Sequence, residues 1–77
     1  MIMEKLRRVI AEVLNLDPDE ITPDDTFLGD LGADSLDVYQ IIVAIEEEFS
    51  IEILQESAEQ ITTVEGACTL VAQLMQA

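Results

Sequence analysis

Apolar residues recur three and four positions apart in several stretches of this chain, and that spacing restricts the fold to packed α-helices. The first stretch predicts a helix from about Met3 to Asn15, which Asn15 and Asp17-Pro18 end. The second predicts a helix from about Ser35 to Phe49. The expected core positions of the second helix are Ile41, Ile42, Ile45 and Phe49.

The last third of the chain predicts a short helical turn near residues 56–60 and then a final helix. Thr62 and Glu65 have the spacing of a capping box at its start. Its expected inward face consists of Val64, Ala67, Cys68, Val71, Leu74 and Met75. Residues 50–53 alternate like a strand, but one short strand has no partner. The sequence therefore predicts an all-α, four-helix bundle with three longer helices and one short helix, in a single domain over residues 1–77.

Residues 16–34 are predicted to form a long loop, because prolines, glycines, aspartates and threonines dominate them. A loop of this length in a small domain is usually functional or held down by buried side chains. The apolar residues expected to hold it are Leu16, Ile21, Phe27, Leu28 and Leu31. We expect the loop to be ordered.

The charge of the chain is strongly negative, with 17 acidic and three basic residues among 77 and a net charge of −14. The basic residues Lys5, Arg7 and Arg8 all belong to the first predicted helix. Such a field repels nucleic acid and anionic membrane surfaces, so neither is an expected partner. Partners should instead present lysine and arginine. A hydrophobic share of 49% argues against an acidic disordered tail.

Cysteine and histidine usage restricts the chemistry further. Cys68 is the one cysteine and histidine is absent, which excludes an intramolecular disulfide and an ordinary zinc site. No apolar run approaches the roughly 20 residues of a membrane span, and charges interrupt the N-terminal apolar run. We therefore expect the protein in the cytoplasm, or in an organelle matrix reached by a removed leader. We also expect a monomer.

The hydroxyl of Ser35 is the best candidate for a functional group, because Ser35 begins a strongly helical, acidic segment after the long loop. The carboxylates of Asp30, Asp34 and Asp37 surround it in sequence. Either Asp34 or Ser35 could also act as an ordinary helix cap. No pair of groups forms a nucleophile with its base, so the sequence predicts no enzyme.

Three segments carry a family resemblance: Leu31-Gly32-Ala33-Asp34-Ser35-Leu36-Asp37, Ala44-Ile45-Glu46-Glu47-Glu48-Phe49 and Glu59-Gln60-Ile61-Thr62-Thr63-Val64. Together they resemble the acyl carrier proteins of dissociated (type II) fatty acid synthesis. The resemblance implies a four-helix bundle that carries growing acyl chains as thioesters on phosphopantetheine. It implies that Ser35 receives this group from coenzyme A, through a separate phosphopantetheinyl transferase.

The resemblance also implies partners and the residues that meet them. The partners would be the transferase, the acyl chain, and fatty acid or polyketide synthase enzymes with basic docking patches. The implied docking residues are Asp34, Leu36, Asp37, Tyr39, Gln40, Val43, Glu46 and Glu47. The aliphatic residues expected to line space for an acyl chain are Ile41, Ile45, Val71 and Leu74.

Departures from the usual family pattern leave the pathway open. Gln40 replaces a usual glutamate, Tyr39 a small aliphatic residue, and Leu54-Gln55 a frequent Pro-Asp pair. The chain could serve general fatty acid synthesis, which we favour, or be a specialised carrier for a polyketide or another acyl transfer.

Two hypotheses from other classes remain for comparison. No stretch fits the calcium-loop pattern, although weak divalent binding by an acidic set could reduce self-repulsion. That set is Asp30, Asp34, Asp37 and Glu46. Alternatively, the chain could be an acidic inhibitor or nucleic-acid mimic that binds by charge alone, without a prosthetic group. Its binding would not depend on Ser35.

Overall fold

The computed structural model describes residues 2–76, in which α-helices are joined by loops. The helices are α1 (Ile2–Leu14), α2 (Ser35–Phe49), α3 (Gln55–Gln60) and α4 (Val64–Gln76), with a 3₁₀ turn at Pro18–Glu20. Among residues 2–76, β-pairing is limited to one antiparallel bridge between Thr26 and Thr63. The predicted all-α bundle of three longer helices and one short helix is confirmed. None of the helices in this range is long and apolar enough to cross a membrane.

The residues that directly follow α1 and α2 both adopt the left-handed conformation. Asn15 has φ 58° and Ser50 has φ 55°, and asparagine accepts this conformation more readily than most residues. After α1, the Leu16 amide donates to the Ala11 carbonyl at 2.9 Å. This bond satisfies a free carbonyl of the last turn. The predicted end of α1 at Asn15 is therefore confirmed to within one residue.

The core lies where α1 packs against α2 and α4. The buried hydrophobic residues are Leu6, Val9, Ile10, Ala11, Ile21, Phe27, Ala33, Ile41, Ile45, Ile53, Val64, Ala67 and Val71. Ile42 and Phe49 pack against this core while partly exposed. The four expected core positions of α2 thus all contact the core, with Ile41 and Ile45 fully buried.

The long loop is held to the core as expected, with one exception. Ile21 and Phe27 are buried, Leu31 packs against the core and Leu16 is half-buried. Leu28, however, is 66% exposed, so the prediction that it holds the loop down is wrong. It lies in a turn over residues 27–30, which the bond from the Leu31 amide to the Thr26 carbonyl closes, and the turn leaves its side chain in solvent.

The start of α4 differs from the sequence prediction by one residue. The Gly66 amide donates to Thr63 Oγ1 at 3.0 Å, so Thr63 caps the helix, and the capping box of Thr62 and Glu65 is wrong. Thr62 is exposed. The prediction that Met75 belongs to the inward face of α4 is also wrong, since Met75 is 52% exposed. It lies in the last turn of the helix, beyond the buried part of that face.

Candidate functional site

Ser35 is the first residue of α2 and is exposed, while the cap of this helix is Asp34. The Asp37 amide donates to Asp34 Oδ1 at 2.8 Å, and the Asp34 amide donates to Asp37 Oδ2 at 3.2 Å. These reciprocal bonds form a capping box. The capping role that the sequence left open between the two residues therefore belongs to Asp34, and the Ser35 hydroxyl is not needed for it.

The start of α2 is suited to an anion beside Ser35. The first amides of any helix lack partners within the helix, and the capping box satisfies those of Asp34 and Asp37. The amides of Ser35 and Leu36 remain for another acceptor. The dipole of this 15-residue helix also favours negative charge at its first turn. Both features favour a hydrogen-bond acceptor at this position, next to the carboxylates of Asp34 and Asp37.

The loop before Ser35 is fixed by its own backbone bonds. The Leu31 amide donates to the Thr26 carbonyl at 3.0 Å, and the Ala33 amide donates to the Phe27 carbonyl at 2.9 Å. Between them, Gly32 has φ 69°, a conformation that side chains disfavour. The loop thus folds back on itself and presents Ser35 in a defined place.

Two open clefts meet at Ser35. The first, which we call the α3 cleft, lies between α2 and α3 and has a volume of about 450 Å³. Its lining is Ser35, Val38, Tyr39, Ile42, Val43, Glu46, Ile53, Gln55, Ala58 and Glu59. The second, the loop cleft, has a volume of about 540 Å³. Its lining is Thr26, Phe27, Leu28, Gly29, Ser35, Val38, Ala58, Glu59, Ile61 and Thr62. Both clefts are mainly apolar and large enough for a small organic group.

The residues expected to line a space for an acyl chain between the helices lie in the core and not in these clefts. Ile41, Ile45 and Val71 are buried in the core, Leu74 is partly buried against it, and none of the four lines either cleft. The expectation that the bundle opens to admit an acyl chain among these residues stays a prediction. Their helical positions point to the centre of the bundle, and the clefts lie at its surface, where α3 meets α2.

The predicted docking residues are divided among several surfaces. Leu36 and Tyr39 are 72% and 67% exposed on α2, so Tyr39 is not a core residue. Asp34 and Gln40 are exposed too, Asp37 is half-exposed, and Val43 lines the α3 cleft. Glu47 lies elsewhere, in a groove between α1 and α2.

Glu46 has a different position from the other docking candidates. It is half-buried, and its Oε2 accepts a hydrogen bond from the Ile53 amide at 2.8 Å. Its carboxylate is therefore engaged within the chain. The sequence contained no signal for this bond, because its two residues lie seven positions apart and in different elements.

The structure does not assemble the suggested divalent-cation set. Residues 2–76 contain no group of three or more potential ligands that could hold a metal ion. The Asp30 carboxylate accepts from the Thr26 amide at 2.9 Å, while Asp34 and Asp37 cap α2. Glu46 lies 12 residues after Asp34, which is about 18 Å along a helix.

Cys68 is half-buried on α4 and lines neither cleft. Burial raises the pKa of its thiol, and the nearby Glu65 carboxylate raises it further. A thiol with a raised pKa is a weak nucleophile at neutral pH. Its position is consistent with a small hydrophobic residue at the edge of the core.

Comparison with known families agrees with this geometry. Residues 4–71 match the family described as "Phosphopantetheine attachment site". The chain belongs to this family and is a carrier domain rather than an enzyme, with phosphopantetheine as its covalently bound prosthetic group.

A solved structure described as an acyl carrier protein from Mycobacterium tuberculosis is similar over nearly the whole chain. The two are 36% identical, with a TM-score of 0.90, and the match covers 95% of this chain and 97% of that one. The resemblance to acyl carrier proteins is thereby confirmed. Carriers of this family bind acyl chains and interact with synthase enzymes and transferases.

Proposed function

We propose that the Ser35 hydroxyl is the attachment point for phosphopantetheine and that the chain, as a single carrier domain, delivers acyl thioesters to enzymes of fatty acid synthesis. The observation that carries this proposal is the position of Ser35. It is exposed at the first residue of α2, is not needed for the cap and lies where two apolar clefts meet.

The chain's own residues fit the attached group. The Ser35 oxygen would form the phosphodiester, and the amides of Ser35 and Leu36 would face the phosphate. Phosphopantetheine supplies the thiol that holds the acyl group. The family resemblance assigns the attachment to a separate transferase, which suits a chain that has no histidine to activate Ser35. The chain would thus be the acceptor in that reaction and not its catalyst.

The clefts provide a place for the acyl group between deliveries. Val38 and Ala58 form part of the wall of both clefts, and Ile42 extends the apolar wall of the α3 cleft. Transfer of apolar surface out of water favours occupancy by about 0.8 kcal/mol per buried CH₂ group. An acyl group shielded in this way would also be less exposed to hydrolysis.

The surface around Ser35 suits synthase enzymes and transferases with basic patches. Leu36 and Tyr39 supply exposed apolar contacts, and Asp37 supplies negative charge beside them. The net charge of −14 would accelerate encounter with such partners in a salt-dependent way. The single thiol of Cys68 is typical of a reducing compartment, which supports the cytoplasm as the place of action.

A specialised carrier is the second candidate, and Tyr39 is the observation that favours it. Its ring is 67% exposed at the edge of the α3 cleft. Exposed tyrosines are often anchors of protein interfaces. An enzyme that docks here would need a pocket for the ring, which would distinguish it from enzymes adapted to a small aliphatic residue. Comparison of binding to fatty acid and polyketide synthase enzymes, for the parent and Tyr39→Val, tests this alternative.

The decisive experiment is intact mass measurement after incubation with coenzyme A, magnesium and a broad-specificity phosphopantetheinyl transferase. We expect one phosphopantetheine on the parent and none on Ser35→Ala. Ser57→Ala is the matched control, because Ser57 is the other serine of the helices near the clefts, and it should still be modified. Addition to Ser35→Ala would place the site elsewhere, and no addition to folded parent protein would favour the charge-based binding module.

A further inference from the structure

Glu46 joins the end of α2 to the segment that leads to α3. Its carbonyl accepts from the Ser50 amide and from the Ile51 amide, the latter at 3.1 Å. Its carboxylate accepts from the Ile53 amide at 2.8 Å. One residue therefore orders three amides of the connection. Of these three bonds, only the one to Ile53 depends on the side chain.

This bond lies in the wall of the α3 cleft. Glu46 and Ile53 both line the cleft, and Ser35 lines it too, 11 residues earlier on α2. Eleven residues of α-helix span about 16 Å. The bond is thus at the far end of the cleft from the proposed attachment point, where α2 and the segment before α3 come together.

α3 has few features of its own that would hold it in place. It has six residues, none of them buried, and its N-cap Leu54 makes no side-chain capping bond. A helix this short is not stable by itself. Ala58 is the residue of α3 that packs against the core. The flanking segments therefore contribute to the position of α3, and Ile53, two residues before it, is both buried and bonded to Glu46.

We propose that Glu46 is a positioning residue for the acyl cargo: its carboxylate holds Ile53, and through it α3, at the separation from α2 that sets the width of the α3 cleft. The cargo role rests on the proposed function of Ser35. The positioning of α3 by Glu46 does not rest on that function, because the bond to Ile53 is present in the chain without its prosthetic group.

The proposal differs from a docking role for Glu46 in what it requires of the side chain. A hydrogen bond from the Ile53 amide needs an acceptor oxygen, which glutamine also has. Docking to a basic partner needs the negative charge, which glutamine lacks. Glu46→Gln and Glu46→Leu therefore separate the two roles. Leucine removes the acceptor while it keeps an apolar stem and good helix propensity.

The first test is amide hydrogen exchange of the protein without phosphopantetheine, followed by NMR. We expect Glu46→Leu to accelerate exchange at Ile53 and in α3 about tenfold, since a bond to a charged acceptor contributes on this scale. Glu46→Gln should remain within about threefold of the parent. Glu47→Leu, at an exposed neighbouring position, is the matched control and should leave this region unchanged. Equal exchange in Glu46→Leu and the parent would overturn the proposal.

The second test uses the protein with an acyl thioester on Ser35 and measures its cleavage by hydroxylamine. A wider cleft should expose the thioester, so Glu46→Leu should be cleaved faster than the parent, and Glu46→Gln at the parent's rate. If Glu46→Gln behaves like Glu46→Leu, the charge matters and the positioning role is wrong. If Ser35 accepts no phosphopantetheine, the proposed function fails, while hydrogen exchange still decides whether Glu46 holds α3.

Discussion

The Val64 amide donates to the Asp25 carbonyl at 3.0 Å, which ties the first turn of α4 to the long loop that precedes α2. One residue later, the Glu65 amide donates to the Pro23 carbonyl at 2.9 Å. The loop therefore satisfies two of the free amides at the start of α4, and Thr63 Oγ1 satisfies that of Gly66. The loop that presents Ser35 is in this way part of the same structure as the last helix.

Removal of the Thr63 hydroxyl should destabilise α4 and the loop together. We expect Thr63→Ala to lower the free energy of unfolding by about 1 kcal/mol, the usual effect of losing an N-cap side chain. Urea denaturation followed by circular dichroism measures this change.

Thr62→Ala is the matched control for the cap. Thr62 is exposed, and the bond from the Phe27 amide reaches its backbone carbonyl, which alanine retains. Its unfolding free energy should stay within about 0.5 kcal/mol of the parent. A larger loss in Thr62→Ala than in Thr63→Ala would show that α4 starts where the sequence pattern placed it.

The cap of α2 allows a second test, in which charge and hydrogen bonding are separated. Asp34→Ala should lower the free energy of unfolding by about 1 kcal/mol, because the Asp37 amide loses its acceptor. Asp34→Asn keeps an acceptor and should be less affected. Parallel mass measurements with the transferase would show whether the cap is also needed for modification of Ser35. Equal stability of the alanine and asparagine variants would contradict the capping bond.

Local patterns predicted the helices of this chain well. The apolar spacing that identified α1 and α2 is a property of neighbouring residues, and Asn15 and Pro18 marked the end of α1 directly. The start of α4 was harder, because Thr62 and Thr63 are both good caps. The acceptors that decide between them, the carbonyls of Pro23 and Asp25, lie almost 40 residues away in sequence.

The candidate site could be predicted only in part for the same reason. Ser35 was chosen from its flanking residues and the family resemblance, and it lies exposed at the start of α2, while its role stays a prediction. The clefts depend on how α3 lies against α2, which no local pattern contains. The carboxylate of Glu46 was interpreted as a docking group, although it bonds to Ile53 within the chain. A run of acidic residues on a helix predicts that their side chains are exposed. A neighbouring segment can still cover one of them, as the segment with Ile53 covers Glu46.

Core and docking residues on α2 should respond differently to truncation. Ile45 is fully buried, so Ile45→Val should cost about 1 kcal/mol of unfolding free energy. Leu36→Ala, at 72% exposure, should leave stability within about 0.5 kcal/mol of the parent. Leu36→Ala should instead weaken binding to the transferase, measured by titration calorimetry. Unchanged transferase binding would remove Leu36 from the docking surface.

Salt should stabilise the protein, because it screens the repulsion among the acidic side chains. The net charge of −14 means that the acidic side chains repel one another, and magnesium screens this repulsion. Residues 2–76 contain no assembled group of ligands that would bind the ion specifically. Millimolar magnesium should therefore raise the melting temperature at low salt, and sodium chloride at matched ionic strength should reproduce much of that rise. Scanning calorimetry in the two salts measures both effects. A large rise with magnesium alone would show a specific cation site.

The thiol of Cys68 should make folding stability depend on alkaline pH. Because burial and the Glu65 carboxylate raise its pKa in the folded protein, the unfolded chain loses this proton first. The contribution of Cys68 to stability is thus fully present below the unfolded pKa of about 8.5, and it is lost as pH rises through the higher folded pKa. The rate of alkylation by iodoacetamide against pH, in native and urea-unfolded protein, measures the two pKa values.

Glu65→Gln should lower the folded pKa of Cys68 while leaving it above the unfolded one, since burial is the larger cause. A native pKa equal to that of the unfolded chain would show that the thiol is open to solvent and carries no such dependence.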